Sequence, residues 1–134
     1  MRRWRRRQRE PAAAGELPQL DVDVASTAYG ALVEIAGELD IATVSRVNDA
    51  LGAEPAASAV AVVVDLTGVT FIDSTGLAAL VKAELALADR DGRLAIACPE
   101  GPARLLLDVT GLAEQLGVFA TRAEAEAAAS GATR

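Results

Sequence analysis

No histidine occurs anywhere in this 134-residue chain, and cysteine and lysine appear once each, as Cys98 and Lys82. The missing imidazole removes Ser-His-Asp and Cys-His catalysis, phosphohistidine relays and the usual zinc sites together. A single thiol excludes an internal disulfide and a multi-thiolate metal site, which fits a reducing cytoplasm. Aromatic residues are almost as scarce: Trp4, Tyr29, Phe71 and Phe119 are the only four. No apolar run approaches the roughly 18–20 residues needed to cross a bilayer, so no transmembrane segment is expected. Whatever chemistry remains must rest on carboxylates, hydroxyls, one thiol or backbone amides.

Half of the residues are apolar, dominated by Ala, Val and Leu, and the length suits one domain with a sizeable core. The net charge of −6 is unevenly placed: MRRWRRRQRE holds six arginines against Glu10, which leaves −11 for everything after it. An acidic body is repelled by phosphodiester backbones, so direct nucleic-acid binding is not expected and proteins with basic surfaces are the better partners. Residues 1–16 lack apolar periodicity and run from the arginines into PAAAGELP, so they read as a flexible arginine-rich N-terminal extension. A secretory signal would need an apolar stretch of about 7–15 residues behind the basic region, and none is there. Electrostatic attachment to anionic lipid or RNA is the alternative use of that segment. The domain itself is expected over residues 17–130.

From Leu20 the pattern becomes regular. LDVDVAS alternates as an edge strand does, and ALVEIAGEL returns antiparallel to it after a turn near Tyr29-Gly30. In DIATVSRVNDALG, Ile41, Val44, Val47 and Leu51 line one helical face, with Asp40 as cap and Gly52 as stop. VAVVVDL suits a central parallel strand buried on both faces. Thr67-Gly68 reads as a turn, after which Val69, Phe71 and Ile72 return to the core. A helix from about Ser74 then carries Leu77, Leu80, Val81, Leu85 and Ala88 inward. RLAIAC is another strand, and Pro102 opens a helix bearing Leu105, Leu106 and Val109, which Gly111 ends. LGVFA makes a last short strand, and Thr121 with Glu124 matches the capping box of a final alanine-rich helix. The expected fold class is α/β: a single domain with a mixed sheet of four to five strands packed with about four helices.

Functional loops in such sheets gather at the carboxyl ends of the parallel strands. Two qualify: Gly37-Glu38-Leu39-Asp40, and Asp73-Ser74-Thr75-Gly76 within VTFIDSTGLAAL. In the second, Ser74 stands at the mouth of a helix, where a phosphate would meet the positive end of the helix dipole and free N–H groups. Asp, Ser and Thr are also the favoured helix caps, so spacing alone leaves capping open as the whole purpose of the triplet. The same holds for Asp40. Cys98, beside Pro99 after an apolar strand, reads as an ordinary buried thiol.

GELDIATV, then VVVDLTGVTFIDSTGLAALVKA and later GPARLLLDVTGL closely resemble the STAS domain of bacterial anti-sigma factor antagonists, in that family's order and spacing from about Leu20 to Ala128. The resemblance implies a binding module with no catalytic activity and no cofactor of its own. It implies that Ser74 is the residue phosphorylated by an ATP-dependent anti-sigma factor, a serine kinase of the histidine-kinase-like ATPase fold. It implies further that the unphosphorylated chain binds this partner and frees a sigma factor, that phosphorylation ends the interaction, and that a serine phosphatase restores it. Asp40, Asp73, Ser74, Thr75 and Gly76 then form the partner-binding surface, in the cytoplasm. Thr75 stands where many relatives have a second serine, which leaves open whether it orients Ser74 or accepts phosphate itself.

Two other readings compete. A STAS subunit of a membrane lipid transporter of the ABC type would suit the cationic N-terminus. A receiver domain phosphorylated on aspartate would need a carboxylate cluster for Mg²⁺ and a well-placed lysine, whereas Lys82 lies a turn or two into a helix. A serine hydrolase has no histidine to serve as base.

Overall fold

The computed structural model describes the backbone of Arg3–Arg6 and all of residues 20–131. In chain order the elements are β1 (Arg3–Arg6), β2 (Leu20–Ser26), β3 (Ala31–Leu39), α1 (Val44–Leu51), β4 (Ala61–Ile72), α2 (Ser74–Ala88), β5 (Arg93–Ala97), α3 (Pro102–Val109), α4 (Leu112–Gln115), β6 (Gly117–Phe119) and α5 (Arg122–Ala129). They build one mixed sheet in sequential order, β1 to β6. The β1/β2 and β2/β3 pairs are antiparallel, and β3/β4, β4/β5 and β5/β6 are parallel. The fold is the expected α/β class: five strands from β2 onward, four longer helices and the short α4. Apart from the backbone strand at Arg3–Arg6, the extension expected over residues 1–16 lies outside the described residues.

Strand periodicity divides the core between the two faces of the sheet. On one face Val62, Val64 and Leu66 of β4 meet Val47 and Ala50 of α1, Leu77, Leu80, Ala83 and Leu87 of α2, and Leu107 of α3. On the other, Ala61 and Val63 alternate with them and pack with Ala95, Ala97 and Leu32 under Ala125 and Ala129 of α5. The second layer is thin because its contacts are mostly alanine. Polar groups fasten it: Arg122 pairs with Glu34 at 2.5 Å, the Tyr29 hydroxyl donates to Glu126 at 2.7 Å, and Arg93 donates to the carbonyl of Ala128 at 3.0 Å. Burial, and then the bond to Glu126, push the Tyr29 phenol well above its ordinary range. The expected capping box at Thr121 and Glu124 starts α5.

Several local expectations are corrected. Thr67-Gly68 is not a turn, because β4 runs unbroken for 12 residues through it. The turn-forming residues are absorbed by register shifts against β3, between Glu34 and Ala36 and between Gly37 and Glu38. Asp65 satisfies the irregular segment locally by accepting from the Thr67 amide at 2.8 Å, and Gly68 lets β3 come close, since a Cβ there would sit 2.8 Å from that of Ala36. The same shifts upset the alternation beyond them. Phe71, expected in the core, is 48% exposed, while Ile72 is buried.

On α2 the inner face is Leu77, Leu80, Ala83 and Leu87, not the one containing Leu85 and Ala88, which are exposed. Helix α3 likewise buries Ala103 and Leu107 and exposes Leu105 and Val109. Helix α2 is apolar around much of its circumference, so period alone does not select its buried face. Helix α1 begins at Val44, and Ile41 stands 76% exposed in the turn before it.

Candidate functional site at the ends of two parallel strands

Leu39 and Ile72, the last residues of β3 and β4, are buried neighbours in register. They bring the two loops singled out in the sequence side by side. The amide of Asp73 donates to the carbonyl of Leu39 at 3.2 Å, continuing the ladder one step past β4.

The first loop is held by a residue that sequence reasoning missed. Thr43 is buried, and its hydroxyl donates to the carbonyl of Glu38 at 2.7 Å while accepting the amide of Asp40 at 3.1 Å. Asp40 is therefore not the N-cap of α1, which is Thr43. Its carboxylate accepts the Ala42 amide at 3.0 Å, and its carbonyl accepts those of Thr43 and Val44. Asp-x-x-Thr ahead of an apolar helix was the available signal; the hydroxyl turns back to the strand instead of forward to the helix.

In the second loop Asp73 is the N-cap of α2. One carboxylate oxygen accepts the amides of Thr75 and Gly76 at 2.9 and 3.1 Å and the hydroxyl of Thr75 at 2.5 Å. The Thr75 hydroxyl is the main cause that holds this carboxyl below the usual carboxylate range; burial opposes it, and the amides of Gly76, Thr75 and Ile41 add to it. It is ionised at neutral pH. Gly76 is buried, and a Cβ on it would lie 2.7 Å from Ile72 Cγ1 and 2.8 Å from Leu39 Cγ. Its lack of a side chain lets the first turn of α2 rest on the ends of both strands.

Capping thus accounts for Asp73, Thr75 and Gly76, and it leaves Ser74 over. Ser74 is the first residue of the helix, it is exposed, and among the described residues its hydroxyl makes no hydrogen bond. One expectation about the loop is overturned. The amides of Thr75 and Gly76 are taken by the Asp73 carboxylate and that of Leu77 by the Asp73 carbonyl. A phosphate on Ser74 would find only that residue's own N–H uncommitted, beside an ionised carboxylate.

Cys98 is buried, and burial raises its thiol above the ordinary value. That makes it a packing residue, not a nucleophile. Among the described residues no group of three His, Cys, Asp or Glu is placed to hold a metal ion, and no helix is long and apolar enough to cross a membrane.

The family model for the STAS domain matches residues 20–125. This chain belongs to the STAS domain family. Within it, the STAS chain is 32% identical over 80 residues to the anti-sigma-B factor antagonist of Listeria monocytogenes, covering 60% of this chain and 70% of that protein. It superposes on the crystal structure of an anti-sigma factor antagonist from Mycobacterium paratuberculosis with a TM-score of 0.76 at 27% identity, over 83% of this chain and 94% of that one. The anti-sigma factor antagonist SpoIIAA in its unphosphorylated form shares the fold, with a TM-score of 0.70 at 19% identity over 84% and 99% of the two chains.

Proposed function

We propose that this STAS domain is an anti-sigma factor antagonist that is switched by phosphorylation of Ser74. The observation that carries the reading is the division of labour in the DSTG loop: Asp73 caps the helix, Thr75 gives its hydroxyl to Asp73, and Ser74 presents an exposed hydroxyl with no structural task. The relatives named as antagonists support the biological class. In its unphosphorylated form the chain binds an anti-sigma factor with serine-kinase activity and so releases the sigma factor. Asp40 and Asp73 serve as recognition groups for the partner, Ser74 and Thr75 lie at the contact, and Gly76 acts from below by setting the height of the loop. The ATP and the kinase chemistry belong to the partner, a serine phosphatase resets the switch, and the chain acts in the cytoplasm as a regulator and not as a catalyst.

A phosphoserine adds roughly −1.5 to −2 charges. With the nearby helix amides already engaged, little of that charge is neutralised inside the domain. Against an acidic group of a docked partner at about 5 Å, each unit of like charge costs about 3 kcal/mol at an effective dielectric near 20. The fold needs no rearrangement for this, because Ser74 is exposed and bonded to nothing. Mass-spectrometric mapping of the chain isolated from its host tests the assignment. Phosphate on Ser74, absent from a Ser74→Ala strain, is expected; phosphate on Thr75, or on another residue in that strain, would move the acceptor elsewhere.

A further inference from the structure

Between α1 and α2, away from the DSTG loop, lies an open cleft of about 170 Å³. Leu51, Val62, Ala79, Ala83 and Leu87 give it an apolar floor, and Asn48, Lys82 and Arg90 stand among its walls. The charge there runs against the rest of the molecule. The chain beyond residue 10 carries −11, yet no carboxylate lines this cleft and two cations do. Neither has an acidic partner among the described residues. Arg90 bonds only to the carbonyls of Ala56, Ala59 and Ala86, and the exposed Lys82 makes no hydrogen bond or ion pair.

We infer that this cleft is a binding site for a small apolar carboxylate, with a body about the size of one phenyl ring. Size and charge select this class together. An apolar cavity of about 150 Å³ is large enough for benzene, so the volume suits one ring or a short branched chain and is too small to enclose a nucleotide or a long acyl chain. The body of such a ligand would cover the exposed part of the apolar floor. Its carboxylate would find the ammonium of Lys82, which has three donors to offer. Lys82 is eight residues along α2 from Ser74, or about 12 Å at the helical rise. The site is therefore separate from the switch loop, although it lies between the two helices that spring from the paired strand ends.

Amide chemical shifts of the isotopically labelled full chain, titrated with phenylacetate and with neutral phenylacetamide, test the proposal. The expected result is saturable shifts at Asn48, Leu51, Ala83 and Leu87 with phenylacetate, and affinity lower by about fivefold or more for the amide and for a Lys82→Glu variant, the scale of one exposed charge contact reversed. Ala83→Leu, which fills the cleft, should abolish the shifts. Lys82 is exposed, so its variant keeps the fold even if the cleft-filling one does not. Absence of saturable shifts, equal binding of the neutral amide, or unchanged affinity in Lys82→Glu would each overturn the proposal.

Discussion

Leu39 and Asp73 are joined by a backbone hydrogen bond of 3.2 Å, from the Asp73 amide to the Leu39 carbonyl. This one contact makes a single surface from two loops by joining residues 34 positions apart in the chain. The ladder between β3 and β4 ends on it, α2 starts from it, and the side chain of Asp73 is aimed by it toward Thr75 and Gly76. Gly76 completes the joint from the other side, with no atom to spare between Ile72 and Leu39.

Gly76→Ala should therefore be far more damaging than an alanine in a helix normally is. The added methyl meets Ile72 and the Leu39 side chain below 3.0 Å and the Leu39 carbonyl at 3.1 Å. Overpacking of this kind costs about 1–3 kcal/mol, against a gain of up to about 1 kcal/mol from helix propensity. Chemical denaturation should show a net loss of stability; a gain would mean that α2 does not rest on the strand ends.

Two substitutions at Asp73 separate its roles. Asp73→Ala removes the cap and should cost about 1 kcal/mol of stability, whereas Asp73→Asn keeps an accepting oxygen and should cost less. The carboxyl is held below its unfolded value, so its contribution is fully present above that value, near pH 4, and is lost as pH falls through the lower folded one. Urea titrations between about pH 5 and pH 2 should accordingly show less acid destabilisation at this position in Asp73→Asn than in the wild type. Parallel pH profiles would show that Thr75 and the amides do not favour the ionised form.

Thr43→Val keeps the volume of a buried side chain and removes its hydroxyl. The carbonyl of Glu38 and the amide of Asp40 then lose this partner, at a cost of about 1–3 kcal/mol for two part-buried hydrogen bonds. Hydrogen exchange should accelerate at Asp40 before it does in the core strands. Unchanged protection there would show that the Asp40 turn is held by its own carboxylate and carbonyl alone.

The order of strands and helices from Leu20 onward, the capping box at Thr121 and the two candidate loops were legible because each rests on local pattern: alternation, three-four spacing, a cap signature. What was not legible depends on contacts between elements. Thr67-Gly68 has turn chemistry, yet pairing with β3 keeps the strand running, and the shift in register that results turns Phe71 outward. Leu85 and Leu87 are equally apolar, and only the packing of α2 on the sheet chooses between them. The Asp-x-Thr pattern makes the point in miniature. Two of its three occurrences have nearly the same geometry, Asp65-Leu66-Thr67 inside a strand and Asp73-Ser74-Thr75 at a helix mouth, while the Thr110 hydroxyl of Asp108-Val109-Thr110 bonds back to Leu106. At the second position the middle residue is an exposed serine, where the first has a buried leucine.

The most direct test of the switch is a pull-down from the native host with tagged Ser74→Ala and Ser74→Asp chains, identifying by mass spectrometry what each retains. The account predicts that the alanine form recovers an ATPase of the histidine-kinase-like fold and that the aspartate form loses it. If both variants instead retained a permease with its transport ATPase, the hydroxyl of Ser74 would have no switching role, and the chain would be a transporter subunit.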